Sequence, residues 1–205
     1  MYKRVLGLVT PLAIAGLILV VSIFSSSQVE YVFGRSSTPT PIFGEKVNVE
    51  YQLPYAGKVE PDSVFWPLKA LRDKVWIFVS VDPIKKSEVL LLLANKRIIF
   101  AKNLMEEDNS ELSVSTLTKS EKYLEQAVAQ EKIGREKGST KSLLLELALS
   151  TLKHRQLLEE ILVSAPEDAK PVIVKTIDTN KRIHNDINVS LNSLGIDAPD
   201  NPFND

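Results

Sequence analysis

From Pro61 to Gly195 the apolar residues recur at spacings of three and four, broken only by prolines and short polar joints. That period belongs to helices, whose successive turns bring positions three and four apart onto one face. Pro67 suits the first position of a helix whose apolar face is Leu68, Leu71, Val75 and Phe78. Asp82 followed by Pro83 is a cap-then-proline start, and the next helix carries Ile84, Leu91, Ala94, Ile98, Ala101 and Met105 on a broad stripe. Asp108 with Glu111 reads as a capping box for a third helix facing inward through Leu117, Tyr123, Leu124, Ala127 and Val128, stopped by Gly134 and Gly138. A fourth begins near Ser139, with the seam Leu144, Leu147, Thr151, His154, Leu158 and Ile161. A fifth follows Pro166, with a restart or kink at Pro171, and its seam is Ile173, Ile177, Asn180, His184, Ile187, Leu191 and Leu194.

Short joints between long amphipathic helices make neighbours antiparallel. The fold expected is therefore all-α, an antiparallel bundle of about five helices over residues 47–195. Val47, Val49, Tyr51 and Leu53 alternate as in an extended arm, and with no second strand in view the arm is expected to lie along the helices. Residues 196–205 read as a frayed acidic tail.

Before the arm, Val5 to Phe24 run for twenty residues without a charge. As a helix that run spans roughly 30 Å, the thickness of a bilayer core. Lys3 and Arg4 precede it, so the expected arrangement is residues 1–4 in the cytoplasm, a transmembrane helix at 5–24 and the remainder outside the cell membrane. Ser25 and Ser27 offer the alternative of a cleaved signal peptide, which exports the domain as well. Residues 25–46, rich in serine, threonine, proline and glycine, read as a flexible linker.

Chemistry is sparse along the chain. There is no cysteine, which removes thiolate nucleophiles, disulfides and thiolate metal ligands. The two histidines, His154 and His184, both sit in apolar seams, but neither follows a glutamate by three: Thr151 and Lys181 stand there instead of the Glu-x-x-His pair of di-iron bundles. In a hairpin of the last two helices they lie roughly 12 Å apart along the axis, too far to share one ion. Each reads as a core polar group bonded to Asn180, Thr151 or a carboxylate. No glycine-rich phosphate loop and no nucleophile elbow occurs, and Ser87 and Ser120 look like ordinary helix-face positions. Glu106 with Glu107 and Glu159 with Glu160 point in different directions on a helix and do not make acid–base pairs. Catalytic, cofactor and metal residues are therefore assigned to none.

The net charge of −1 gives no general pull toward nucleic acid. Locally, Lys69, Arg72, Lys74, Lys85, Lys86, Lys96, Arg97 and Lys102 outnumber Asp62, Asp73, Asp82 and Glu88, an excess suited either to anionic headgroups and envelope polymers or to solubility alone. The aromatics Tyr55, Phe65, Trp66, Trp76 and Phe78 read as anchors fastening the arm and first helix over the open end of the bundle.

The runs YQLPYAGKVEPDSVFWPLKALRDKVWIF, VDPIKKSEVLLLLANKRIIFA and STLTKSEKYLEQA, with the later LKHRQLLEEIL, resemble an uncharacterised family of exported helical domains, a domain of unknown function. The resemblance covers residues 51 to about 185. Ala56 stands where that family tends to have proline, and Asn95 replaces a common aspartate. It implies the fold and export and supplies no functional residue. The function expected is a membrane-anchored extracytoplasmic interaction or scaffold module, non-catalytic, with a protein or envelope polymer as partner; the alternative is a ligand- or metal-binding bundle around His154, Asn180 and His184, and an exported hydrolase is the third reading.

Overall fold

The computed structural model describes residues 47–203. The apolar run at 5–24 and the linker at 25–46 lie outside them. Five helices follow one another: α1 (Trp66–Val79), α2 (Pro83–Glu106), α3 (Ser110–Arg135), α4 (Lys141–Ser164) and α5 (Lys170–Ser193). The described residues contain no strand, and none of their helices is long and apolar enough to cross a membrane.

The start of α2 is the one written in the sequence: the Asp82 carboxylate accepts the Lys85 amide at 2.9 Å, and Pro83 takes the first turn, where no amide is needed. The turn into α3 differs from the capping box expected there. Asp108 takes a left-handed backbone (φ 60°), and the Asp108 and Asn109 amides close α2 on the carbonyls of Met105 and Leu104. Asp108 thus ends one helix and is not free to cap the next; Asn109 occupies that position without a side-chain cap bond.

α2 and α3 pack through a seam of small residues. Ser87, Ala94 and Ala101 are each seven residues apart and face Ala127, Ser120 and Ser113, also seven apart and running the other way. In every facing pair a serine hydroxyl donates to the alanine carbonyl across the seam: Ser87 to Ala127 at 2.7 Å, Ser120 to Ala94 at 2.8 Å, Ser113 to Ala101 at 2.6 Å. A side chain that short reaches another helix's main chain only where the two backbones come close. Ser87 and Ser120, ordinary by their sequence neighbours, are therefore pieces of an antiparallel heptad repeat. One heptad beyond Ala127, Gly134 falls in the last turn of α3, where a Cβ would stand 2.6 Å from Cγ1 of Ile84.

α4 and α5 form the second hairpin. Pro171 falls in the first turn of α5, so it starts the helix and does not kink it. The four long helices enclose two apolar cores. One joins Leu90, Leu91, Leu124, Leu144, Leu147, Ile183 and Ile187; the other joins Ile98, Leu117, Leu158, Ile161, Ile173 and Ile177. The N-terminal half of α2 shares a core with the C-terminal half of α3, and α4 and α5 are related in the same way, as antiparallel neighbours must be. After α5 the chain returns to bury Phe203 against Val49 and Leu152, with the Arg155 guanidinium 5.3 Å from its ring.

α1 contradicts its own periodicity. Leu68 is 63% exposed, Leu71 53% and Phe78 84%, although these are the residues of its apolar stripe. Its one buried residue is Asp73, at 1%. The helix lies on the bundle through Asp73, Trp66 and Ile77, with Val75 half-buried, and turns Leu68, Leu71 and Phe78 outward. Of the aromatics expected to be anchors, Tyr55, Phe65 and Phe78 are exposed, Trp76 is half-buried, and Trp66 packs edge-on against Phe100 with ring centroids 5.7 Å apart.

Candidate functional site

Between the two apolar cores runs a buried polar layer to which every long helix contributes. α2 brings Asn95, α3 Glu121, α4 Ser150, Thr151 and His154, and α5 Asn180, all 2% exposed or less. His154 is central. Its Nδ1 lies 2.7 Å from Oε1 of Glu121 and its Nε2 lies 2.9 Å from Oδ1 of Asn95. Asn180 donates to the other Glu121 oxygen at 2.9 Å and to the Thr151 carbonyl at 3.2 Å. Ser150 donates to Asn95 Oδ1 at 2.6 Å, and the Asn95 amide donates to the Tyr51 hydroxyl at 2.9 Å. His154 is thus held from both sides, by Glu121 at one ring nitrogen and by Asn95 at the other.

Both nitrogens of His154 are held by protein groups, which leaves neither for a metal. His184 is buried one turn further along α5, on the same seam as Asn180. Of the residues singled out by sequence, the fold brings His154, Thr151 and Asn180 together and adds Asn95, Glu121 and Ser150. Among the described residues no group of three or more histidine, aspartate or glutamate side chains is arranged to hold a metal ion.

The layer reaches the surface at Tyr51. Val49 and Tyr51 lie on α4, where the Val49 amide donates to Gln156 Oε1 (3.1 Å) and its carbonyl accepts from Lys153 Nζ (3.2 Å), side chains standing in for a strand partner. Beside them opens a groove of about 490 Å³ lined by Glu50, Tyr51, Glu88, Leu91, Asn95 and Glu146, among others. Burial, and then the charge of Glu146, hold the Tyr51 phenol well above its ordinary pKa, and desolvation likewise pushes the Glu146 carboxyl up. Tyr51 thus keeps its proton and serves as the outer link of the network.

A second polar cluster fixes α1. The Asp73 carboxylate takes Arg72 Nη2 at 2.9 Å and Arg97 Nη2 at 3.7 Å, while the Arg97 guanidinium lies 4.3 Å from the ring centre of Tyr123. Lys69 donates to the carbonyls of Val59 (2.8 Å) and Ala56 (3.3 Å) and sits 4.3 Å from the Phe100 ring. Burial lowers its pKa to about 8, with Asp73 pulling the other way. Gly57, at φ +99°, supplies the left-handed turn that bends this carbonyl loop around the ammonium. The Leu-Lys-x-Leu-Arg-Asp phrase therefore encodes one docking device: Lys69, Arg72 and Asp73 face the bundle, and the leucines between them face away.

A sequence model of the family described as a domain of unknown function (DUF5667) matches residues 58–168, more than half of the chain. The chain belongs to this family. The DUF5667 match takes in α1 to α4, hence the serine seam, the α1 clamp apart from Ala56 and Gly57, and the polar layer apart from Asn180 on α5 and the outer link Tyr51. None of the curated proteins and none of the solved structures matches the chain.

Sequence reasoning missed Asn95, Glu121, Asp73 and Arg97. Glu121 and Asn95 had a signal, since each falls between core residues of its own helix: Leu117 and Leu124 for one, Leu91 and Ile98 for the other. Asp73 had none, because what keeps it inside is Arg97 on another helix.

Proposed function

We propose that the chain is a non-catalytic interaction module held at the outer face of a membrane by its N-terminal apolar run, and that its contact surface is the outward face of α1. The observation that carries this reading is Leu68, Leu71 and Phe78 exposed on a helix held to the bundle by Asp73 beside Arg97 and by Trp66 and Lys69 against Phe100. Apolar side chains left in water along one helix favour association, at about 25 cal/mol per Å² covered. The polar layer supports the non-catalytic half: its side chains are spent on one another, an arrangement suited to fixing helix register.

Because the chain has no cysteine, single-cysteine variants report one position each. Leu71→Cys and Phe78→Cys in intact cells are expected to resist a membrane-impermeant maleimide until detergent is added. Val189→Cys, exposed on α5, is expected to react from outside with or without detergent. Equal reactivity of Leu71→Cys before and after solubilisation would sink the contact surface; labelling of Val189→Cys only after lysis would sink the outward orientation.

A further inference from the structure

We infer that the surface covering α1 is an anionic lipid headgroup layer, so that this helix lies in the plane of the bilayer that anchors the chain. The inference rests on the anchored reading above.

Three observations select a lipid surface. The first is charge. The only acidic residue of α1 is Asp73, buried, hydrogen-bonded to Arg72 and paired with Arg97 at 3.7 Å, whereas Lys74 stands exposed beside the stripe and Lys58 and Lys85 stand exposed on the flanking segments, with Glu88 exposed one turn beyond Lys85. Asp62 and Asp82 are exposed at the two ends, the latter occupied as the α2 cap. An outward apolar stripe with a lysine beside it and further lysines on the flanking segments suits a helix that lies at a membrane interface, each lysine near an anionic surface being worth about fivefold in affinity.

The second is area. A 14-residue helix is about 21 Å long and about 10 Å wide, so one face offers roughly a quarter of the ~800 Å² per partner typical of a stable protein pair. A second copy docked on this stripe alone is held too weakly. An anchored domain has no such need, because tethering raises its concentration at the surface to the order of millimolar.

The third is reach. Twenty-two residues, 25–46, separate the apolar run from the first described residue, and a coil of that length spans about 25 Å at 5–6 Å times the square root of the residue number. That exceeds the ~15 Å radius of gyration of a domain this size. Read as the linker its composition suggests, the segment is long enough for the domain to turn α1 onto the bilayer.

The full chain is reconstituted into vesicles of phosphatidylcholine, with or without phosphatidylglycerol, carrying a nitroxide at Leu71→Cys, Val189→Cys or Leu17→Cys. Collision with oxygen, which concentrates in lipid, is compared with collision with an aqueous nickel chelate. With phosphatidylglycerol present the Leu71 label is expected to shift toward oxygen while the Val189 label stays aqueous. High salt or phosphatidylcholine alone is expected to reverse the shift, and Lys74→Gln to lower the lipid-seated to aqueous ratio about fivefold. An aqueous Leu71 label alongside a lipid-embedded Leu17 label overturns the inference and leaves the anchored reading standing. A Leu71 label shielded from both relaxants and broadened by a second nitroxide overturns it in favour of a second copy. An aqueous Leu17 label overturns the anchored reading and the inference with it.

Discussion

Nδ1 of His154 lies 2.7 Å from Oε1 of Glu121 at mid-height in the bundle, and neither side chain meets water. This contact joins α3 to α4, and the second Glu121 oxygen carries the link to Asn180 on α5. Glu121→Ala leaves Nδ1 of the buried imidazole without its partner and takes one of the two acceptors from the Asn180 amide. It is expected to lower the unfolding free energy by about 3–5 kcal/mol, a large share of the 5–15 kcal/mol of an ordinary domain. Glu121→Gln, which keeps an acceptor, is expected to cost less. Urea midpoints of the two variants check this; an Ala variant within 1 kcal/mol of the parent would mean the layer carries little of the fold's stability.

Gly134 stands where α3 passes the start of α2. An added Cβ would lie 2.6 Å from Cγ1 of Ile84 and 3.3 Å from its amide nitrogen. Gly134→Ala is therefore expected to cost about 1–3 kcal/mol through overpacking, although in an open helix the same change stabilises by about 1 kcal/mol. Adding Ile84→Ala removes the nearer clash and is expected to recover part of the loss. A thermal melt of single and double variants reads the sign directly.

The helices themselves were legible because spacings of three and four are a property of the residue string. The polar layer was half legible: Thr151, His154 and Asn180 interrupt apolar seams, whereas Glu121 reads as one more surface carboxylate until Leu117 and Leu124 are seen on either side of it. The seam between α2 and α3 was hidden because serine and alanine carry little hydropathy; its signal is the seven-residue spacing of small residues. For α1, periodicity states that one face is apolar and does not state what covers that face. The answer lay in Arg97, which neutralises Asp73 from a different helix.

The half-buried Lys69 gives the fold a pH dependence. Burial brings its folded pKa to about 8, against an ordinary 10.5, so between those values the unfolded chain binds the extra proton and stability rises with pH. Lys96 and Lys153, also lowered by burial, act in the same sense. Tyr51, held up by burial, acts in the opposite sense above its ordinary 10.0, which makes pH 8 to 10 the window to read. Urea midpoints are expected to climb across that window, and to climb less in Lys69→Met. An unchanged slope in the variant would show that Lys69 is not the buried cation.

α1 lies with Asp73 inward and Leu71 outward, and the stability of two variants reads that orientation most directly. Leu71→Glu places a charge on an exposed position and is expected to leave the urea midpoint within about 0.5 kcal/mol of the parent. Asp73→Ala strips Arg97 of its counter-ion inside the clamp and is expected to cost about 3 kcal/mol. The reverse pattern, a Leu71→Glu chain that unfolds beside an undisturbed Asp73→Ala chain, would mean that the apolar face of α1 is packed against the bundle and that no contact surface exists there.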